Sequence, residues 1–285
     1  MLNFEDIRIR DLVFFERLTV VGSITSTAKE MGVPKATASR WLANLEERVG
    51  HSLIKRTTRS FALTEIGHEF AIHVREILSA ISMAQVAIQP DNPTGTLRVS
   101  VPGPMGMFVG PVIASFRRRL PSVRLEIMFQ NERVDLIRDR FDLAIRGGPL
   151  PDSGLIARKL STASMWLYMS AKFRDTPLSA VPLITTPQDA QLLRRSTFAE
   201  QLSAPVVLVD DRTAMADALV WGAGVGLLPS FLGEPPRREG TLHKVDEEPI
   251  ATLPIHAVYH ESQRKDPRLK ALIEEIAKQL NRVLE

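Results

Sequence analysis

A short helix, a glycine-containing turn and a longer amphipathic helix follow one another between residues 23 and 49, and this order constrains the fold more than any other feature. Residues 9–20 form an apolar-periodic helix before them. Thr25 is expected to cap the short helix and Gly32 to end it in a left-handed conformation. Pro34 then fits the first turn of the next helix. Helix, tight turn and helix predict a helix-turn-helix.

The longer helix, predicted over residues 35–49, carries an apolar stripe formed by Ala38, Leu42, Leu45 and Val49 at spacings of four, three and four. Its opposite face holds short and hydrogen-bonding side chains, whereas an ordinary solvated helix carries mostly glutamate and lysine. Small residues allow close approach, and hydroxyls, methyls and guanidinium groups contact bases and phosphates. The candidate DNA-contacting residues of this helix are Lys35, Ala36, Thr37, Ser39, Arg40 and Asn44.

Two strand-like runs, residues 52–55 and 60–63, flank the segment Arg56-Thr57-Thr58-Arg59 and predict a hairpin, or wing. Arg56 and Arg59 are expected along the DNA backbone or in the minor groove. Thr25 and Ser26 are placed to bind phosphate at a helix start. Residues 35–60 hold six basic and two acidic side chains, which fits a phosphate footprint. From charge alone, a solvated face is the ordinary alternative.

A long helix is predicted from Thr64, its expected N-cap, to about Gln89. Its apolar residues follow a heptad-like spacing of four and three: Phe70, Val74, Ile77, Ile81, Ala84 and Ile88. This seam favours pairing between two copies of the chain, with packing on its own domain as the alternative. A dimer would supply the two half-sites that a helix-turn-helix commonly needs.

Residues 90–95 read as a linker, and β and α patterns alternate beyond it. The expected strands are residues 97–101, 123–129, 143–145, 165–169, 206–209, 225–228 and 255–259. The expected helices are residues 106–120, 212–222 and 267–284. This alternation predicts a largely parallel sheet covered by helices.

The loop after the first of these strands precedes a helix, which is where open α/β sheets bind ligands. Ser100 and free backbone amides at that helix start suit a carboxylate. Ordinary turn chemistry is the alternative for every such position. The candidate effector-contacting residues are Ser100, Val101, Pro102, Gly103, Pro104, Gln130, Asn131, Arg146, Gly147, Asp211, Arg212, Gly224 and Val225.

The chain has no cysteine, which removes disulfides, thiolate metal ligands and cysteine nucleophiles. His68-Glu69 with His73 differs from a zinc-protease signature because the second histidine falls at i+5, off the shared helix face. No catalytic group, metal site or cofactor is predicted, and the chain is not expected to be an enzyme. No apolar run reaches membrane-spanning length and the N-terminus lacks a secretory pattern, so we expect a cytoplasmic protein without a membrane partner.

Residues 23–67 resemble the DNA-binding domain of LysR-type transcriptional regulators. The resemblance rests on Ser39-Arg40 followed by Leu45-Glu46, on the wing arginines, and on Leu63-Thr64-Glu65 with Gly67. Three further stretches resemble the effector domain of the same family: residues 97–102, 141–153 and 223–229. Lys35-Ala36 departs from the Gln-Pro or Gln-Ser that the family often has there, which leaves the base preference open.

The resemblance implies an N-terminal all-α winged helix-turn-helix plus a C-terminal α/β two-lobed domain resembling periplasmic binding proteins. The expected boundaries are 1–63 for the DNA-binding domain, 64–90 for the dimerisation helix and 91–285 for the effector domain. Lobe one would comprise about 96–160 plus 261–285, and lobe two about 161–260. The implied partners are double-stranded DNA, a small-molecule effector between the lobes, RNA polymerase, and further copies in a homodimer or homotetramer.

Two other hypotheses remain at this stage. An enzyme or a transport-type binding protein would use the α/β region alone, but it needs a catalytic pair or an export signal, and the sequence offers neither. A DNA-binding regulator could also use its α/β domain only for oligomerisation.

Overall fold

The computed structural model describes residues 7–55, 61–88, 93–132, 135–136, 139–150, 154–202 and 205–284. The chain divides into two compact units, Met1–Pro93 and Thr94–Glu285. Among the described helices, none has the length and apolar character needed to cross a membrane.

The described residues of the first unit form four helices: α1 (Ile9–Val21), α2 (Ile24–Glu30), α3 (Lys35–Val49) and α4 (Glu65–Ile88). Its core gathers the apolar stripe of α3 against Phe14, Phe15 and Leu18 of α1. Trp41 joins this core through an edge contact with Phe14, at 5.7 Å between ring centroids. The expected stripe of α3 is confirmed, and Trp41 is the member that the sequence spacing missed.

The ends of these helices are fixed by local hydrogen bonds. Ser23, and not Thr25, caps α2, because the Ser23 hydroxyl accepts from the Ser26 N–H at 3.3 Å while Thr25 lies in the first turn. The prediction of a Thr25 cap was therefore wrong by two residues. Gly32 has a φ of +67°, as expected after α2. The hydroxyl of Thr64 accepts from the Gly67 N–H at 2.9 Å, which confirms the predicted cap of α4.

The base of the predicted wing is present between α3 and α4. Ile54 and Leu63 form an antiparallel bridge, and the Lys55 N–H donates to the carbonyl of Ala62 at 2.8 Å. The tip, including Arg56 and Arg59, lies outside the described residues. At Gly67 a side chain would collide with the carbonyl of Leu53, so only glycine allows α4 to begin this close to the wing base.

The described residues of the second unit contain one nine-stranded sheet in the order β2-β1-β3-β9-β4-β7-β5-β6, with β8 paired to β4. The strands are β1 (Gly95–Val101), β2 (Val123–Phe129), β3 (Leu143–Gly147), β4 (Ile156–Ser170), β5 (Leu183–Thr185), β6 (Pro205–Leu208), β7 (Val225–Pro229), β8 (Leu242–Lys244) and β9 (Ala251–Tyr259). Strands β1, β2 and β3 are parallel, as are β5, β6 and β7.

The expectation of a largely parallel sheet is wrong at its centre. Strands β4 and β9 pair antiparallel with each other, and β9 pairs antiparallel with β3 while β4 does so with β7 and β8. Two parallel halves are thereby joined through a pair of long crossing strands. We call the half with β1–β3 lobe one and the half with β5–β7 lobe two.

In the described part of this unit, five α-helices cover the sheet: α5 (Gly106–Arg119), α6 (Pro187–Leu193), α7 (Arg212–Val220), α8 (Ser230–Arg238) and α9 (Pro267–Leu284). Helices α5 and α9 bury apolar residues against lobe one, including Phe116, Leu272 and Leu280. Lobe two has two smaller apolar clusters, one around Leu183 and one around Met215. The C-terminal helix therefore returns to pack on the first lobe.

Candidate DNA-binding and ligand-binding sites

The face of α3 opposite the core is open. Lys35, Ala36, Ser39 and Arg40 are exposed, and Thr37 and Asn44 are half-buried beside them. Within the described part of the chain, the side chains of Lys35, Ser39 and Arg40 make no hydrogen bond or ion pair. Two cations and one hydroxyl are thus available for contacts outside the unit.

Buried charges hold α3 in place. Arg48 pairs with Asp11 of α1 at 3.1 Å, and the Asp11 side chain is almost fully buried. The carboxylate of Glu46 accepts from the N–H groups of Leu53, at 2.7 Å, and Ile54, at 3.2 Å. From sequence alone, Glu46 is only part of a motif and one of two acids in a basic segment. Here it joins the end of α3 to the base of the wing.

At the start of α2, side-chain hydroxyls are more available for a phosphate contact than backbone N–H groups. Thr25 and Ser26 are both exposed, but the Ser26 N–H is already used by the Ser23 cap. Any phosphate contact at this point would therefore rely on the two side chains and on the remaining first-turn amides.

The seam of α4 divides into two parts. Val74 is fully buried in the core of the first unit, with Phe70 packed beside it. Ile77 is 45% exposed and Ile88 is 79% exposed. Each of the two interpretations of this seam therefore fits one part of the helix: packing on its own domain near the start, and an open apolar surface towards the end.

In the second unit, the end of β1 is the centre of one polar group. Ser100 is fully buried, its hydroxyl accepts from Nη2 of Arg146 at 2.9 Å, and it donates to Oε1 of Gln130 at 3.4 Å. Nη1 of Arg146 donates to the carbonyl of Ile145 at 2.7 Å. Burial lowers the pKa of Arg146. Among the described residues, no carboxylate lies within 4.0 Å of this guanidinium.

A second polar group connects the two lobes. The Gly103 N–H donates to Oδ1 of Asn131 at 2.9 Å, and Nδ2 of Asn131 donates to Oδ2 of Asp211 at 2.8 Å. Asp211 caps α7 by accepting from the Ala214 N–H at 2.8 Å. Burial acts to raise the pKa of Asp211, but the hydrogen bonds from Ala214 and Asn131 outweigh it, so the pKa is lowered and the carboxylate stays ionised.

A side chain at position 103 would crowd this contact. A Cβ there would lie 3.0 Å from Oδ2 of Asp211 and 3.2 Å from Oδ1 of Asn131. Pro102 and Pro104 flank Gly103 and are half-buried. The loop between β1 and α5 is thus held against the start of α7, and six of the predicted residues, Ser100, Gly103, Gln130, Asn131, Arg146 and Asp211, fall into the two polar groups.

Four predicted positions lie elsewhere. Val101 is buried in the core of lobe one, and Val225 is fully buried between β4 and β5. Gly224 is buried against the carbonyl of Pro182, with no space for a side chain. Arg212 turns to Asp189 in an ion pair of 2.6 Å within lobe two. These four stay predictions: core packing engages Val101, Gly224 and Val225, and the ion pair engages Arg212.

Gly147 lies exposed at the end of β3, beside Leu253 of β9. The cross-strand neighbour of the preceding residue, Arg146, is His256 of β9, and His256 is in turn the neighbour of Lys159 on β4. Neither His256 nor Lys159 is among the predicted effector-contacting residues. Only strand register could have placed them beside Arg146.

A groove of about 580 Å³ lies apart from these groups, between α5 and the edge strand β2. Its lining is apolar with two arginines: Val109, Ile113, Leu125, Ile127, Phe129, Arg117 and Arg124. Met128 and Phe129 are exposed next to it. Such a surface at an unpaired sheet edge is typical of a protein contact.

A helix-turn-helix with a wing base, and a two-lobed α/β unit with polar groups at the lobe boundary, together define a DNA-binding regulator with a ligand-binding domain. The family of bacterial regulatory helix-turn-helix proteins of the lysR type matches residues 9–68, and the LysR substrate binding domain matches residues 90–281. The chain belongs to the LysR family of transcriptional regulators and is not an enzyme.

Relatives of similar length support this assignment. An HTH-type transcriptional regulator of Xanthomonas campestris pv. campestris is 28% identical, with 96% of this chain and 86% of that protein covered. The regulator CrgA of Neisseria meningitidis is 27% identical, with 95% of this chain and 96% of that protein covered.

Solved structures show the same fold. The structure of CrgA superimposes with a TM-score of 0.60 at 24% identity, covering 96% of this chain and 99% of that chain. Full-length LysG from Corynebacterium glutamicum, solved with arginine as bound effector, gives a TM-score of 0.67 at 17% identity, covering 98% of this chain and 100% of that chain.

Proposed function

We propose that this LysR-family regulator binds double-stranded DNA through the exposed face of α3, and that an effector held between its two lobes alters this binding. The proposal rests on the polar side chains of α3 that have no partner among the described residues, Lys35, Ser39 and Arg40. By its position around the helix, Arg40 lies opposite the apolar stripe that packs on the core. A recognition helix contacts base edges through its N-terminal residues in the major groove.

Each DNA-contacting residue is given a role by its chemistry. Arg40 suits a guanine edge or a phosphate, and the methyl of Ala36 suits thymine. The hydroxyls and amide of Thr37, Ser39 and Asn44 add hydrogen bonds, and Lys35 binds phosphate. Arg56 and Arg59 on the wing, and Thr25 and Ser26 on α2, complete the proposed backbone contacts.

The effector is proposed to lie at the boundary of the lobes, next to Ser100, Gly103, Asn131 and Asp211. Asn131 accepts from the Gly103 N–H within lobe one and donates to Asp211 of lobe two, which connects the lobes. A ligand that accepts from the Gly103 N–H competes directly with Asn131, so binding and inter-lobe contact are coupled. A carboxylate is a suitable acceptor at this helix start.

A homodimer is proposed through the exposed end of α4. Ile77 and Ile88 remain open to a second copy after the first part of the helix has packed on its own unit. A homotetramer requires a second self-association surface, and the groove between α5 and β2 is our candidate for it. Contact with RNA polymerase and a cytoplasmic location complete the proposal.

The test is binding of the purified full chain to its own upstream DNA, measured by fluorescence anisotropy in a salt series with a scrambled duplex as control. Selective binding with a steep salt dependence supports the proposal. If the chain shows no preference for upstream DNA and a selection from random duplexes also recovers no binding sequence, the DNA-binding role is refuted.

A further inference from the structure

Three basic side chains line up across three hydrogen-bonded strands beside Ser100. Arg146 of β3 is the register partner of His256 of β9, and His256 is the register partner of Lys159 of β4. Directly opposed residues of neighbouring strands project from the same face of a sheet. We call Arg146, His256 and Lys159 the basic row.

Within the part of the chain that the structure describes, the basic row has no counter-charge. Among the described residues, neither Arg146 nor Lys159 forms an ion pair. Arg146 is half-buried, and its guanidinium bonds, within the described residues, only to a hydroxyl and a carbonyl, both of them neutral acceptors. A desolvated cation is normally paired with a carboxylate, so Arg146 lacks an anionic partner in the described part of the chain, while Lys159 is exposed at the other end of the row.

His256 adds a polar atom without a partner. Its Nδ1 is inaccessible to solvent and makes no hydrogen bond within the described residues. Burial and the charge of Lys159 lower the pKa of His256, so the ring is neutral at neutral pH and contributes hydrogen bonding in place of charge. Two permanent cations therefore lie on either side of a neutral imidazole.

We infer that the basic row binds an effector carrying two negative charges, of which a small dicarboxylate is the class that fits. One carboxylate would meet Arg146 and the Ser100 hydroxyl, and the other would meet Lys159, with His256 between them. The Cα atoms of Arg146 and Lys159 are two strand spacings apart, about 10 Å, and long side chains reach inward over that distance. This inference rests on the proposed effector site and specifies its ligand.

Isothermal titration calorimetry on the full chain tests the inference with named probes: succinate, glutarate and adipate, each against the monocarboxylate of the same carbon number, and inorganic phosphate. We expect at least one dicarboxylate to bind tenfold or more tightly than its monocarboxylate. We also expect Lys159→Gln to remove most of that preference while the monocarboxylate affinity stays unchanged. His256→Asn should weaken both.

Arg158→Gln is the matched control, because Arg158 is the exposed neighbour of Lys159 on β4 and pairs in register with Ala257, on the other face of the sheet. Its dicarboxylate affinity should equal that of the wild type. The inference is overturned if no dicarboxylate binds, if mono- and dicarboxylates bind equally, if phosphate alone binds, or if Lys159→Gln behaves like Arg158→Gln. DNA binding measured on the same samples separates these outcomes from failure of the regulator proposal.

Discussion

Asn131 and Asp211 join the two lobes of the second unit through a hydrogen bond of 2.8 Å from Nδ2 to Oδ2. Asn131 follows β2 in lobe one, and Asp211 caps α7 in lobe two. Because Asn131 also accepts from the Gly103 N–H, a single amide side chain links both loops that border the proposed ligand site.

Replacing Asn131 by Ala should loosen this link. The variant loses two exposed hydrogen bonds, so the free energy of unfolding of the second unit should fall by about 0.5–1 kcal/mol. Inter-lobe motion should rise, which hydrogen exchange at the start of α7 would detect. Glu132→Ala, at the exposed neighbouring position, should change neither quantity. Unchanged exchange in Asn131→Ala would show that the link does not restrain the lobes.

Arg40→Ala tests whether the exposed face of α3 contacts DNA. If Arg40 reads a base, specific DNA binding should weaken by about 1–3 kcal/mol and selectivity at one base pair should relax. A uniform loss across sequences would assign it to phosphate instead. Arg195→Ala, which removes an exposed arginine of lobe two, is the control for net charge. Anisotropy on a panel of single-base variants makes the measurement, and an unchanged affinity would contradict the assignment of α3.

Glu46 is expected to stabilise the first unit. Its carboxylate accepts from two backbone N–H groups at the wing base. Glu46→Ala leaves both groups without that partner, so the free energy of unfolding should fall by about 1–3 kcal/mol. Glu46→Gln keeps one acceptor and should cost less. Glu47→Ala, on an exposed position of the same helix, is the control. Chemical denaturation of the three variants ranks them, and equal stability of all three would contradict the role of Glu46.

Asp142 should make stability depend on pH. Burial raises its pKa from 3.8 to about 6, and a hydrogen bond from the Arg98 N–H only partly offsets this. The folded state therefore holds a proton that the unfolded state has lost between these values, so stability falls as pH rises from about 4 to about 6. The loss is at most about 3 kcal/mol, since one pKa unit corresponds to about 1.4 kcal/mol.

Asp142→Asn should remove this slope. The amide oxygen can still accept from the Arg98 N–H, and no charge is buried at any pH. Unfolding curves of both proteins between pH 4 and 7 provide the comparison. The difference in stability, wild type minus variant, should decrease as pH rises. A difference that stays constant would show that Asp142 titrates near its ordinary value in the folded chain, and one that increases would show that folding lowers its pKa.

The end of α4 should control self-association. Ile77→Glu together with Ile88→Glu places two charges on the exposed part of the seam and should shift a dimer to monomers in sedimentation velocity. His68→Glu, near the start of the helix, adds a charge off the seam and should leave the dimer intact. A double variant that sediments like the wild type would place the interface elsewhere.

Local sequence patterns predicted the elements with strong periodicity. Helix α3, strand β2 and helix α9 have the predicted bounds, because their apolar residues repeat over several turns or a full strand. Helix α8 was missed because Pro235 and Pro236 lie within it and argue against a helix. Strands β5 and β8 have three residues each and offer no period to detect.

The sequence identifies the residues of the candidate sites to different extents. The proposed DNA-contacting face lies on the single helix α3, so the helical repeat alone groups its residues in the sequence. The polar groups at the lobe boundary join residues as distant as Gly103 and Asp211, which only loop position suggested. The basic row depends on the register of three strands far apart in the chain, and nothing local to Lys159 or His256 signals it.

The pairing of β4 with β9 slips by one residue between Lys159 and Ser161. A slip of this kind bends and twists a strand locally. Since both strands run through the middle of the two-lobed unit, we expect a rotation of one lobe against the other to be centred on this bulge. Lys159 borders the bulge, so a ligand bound by this lysine would contact β4 at the position where the strand bends.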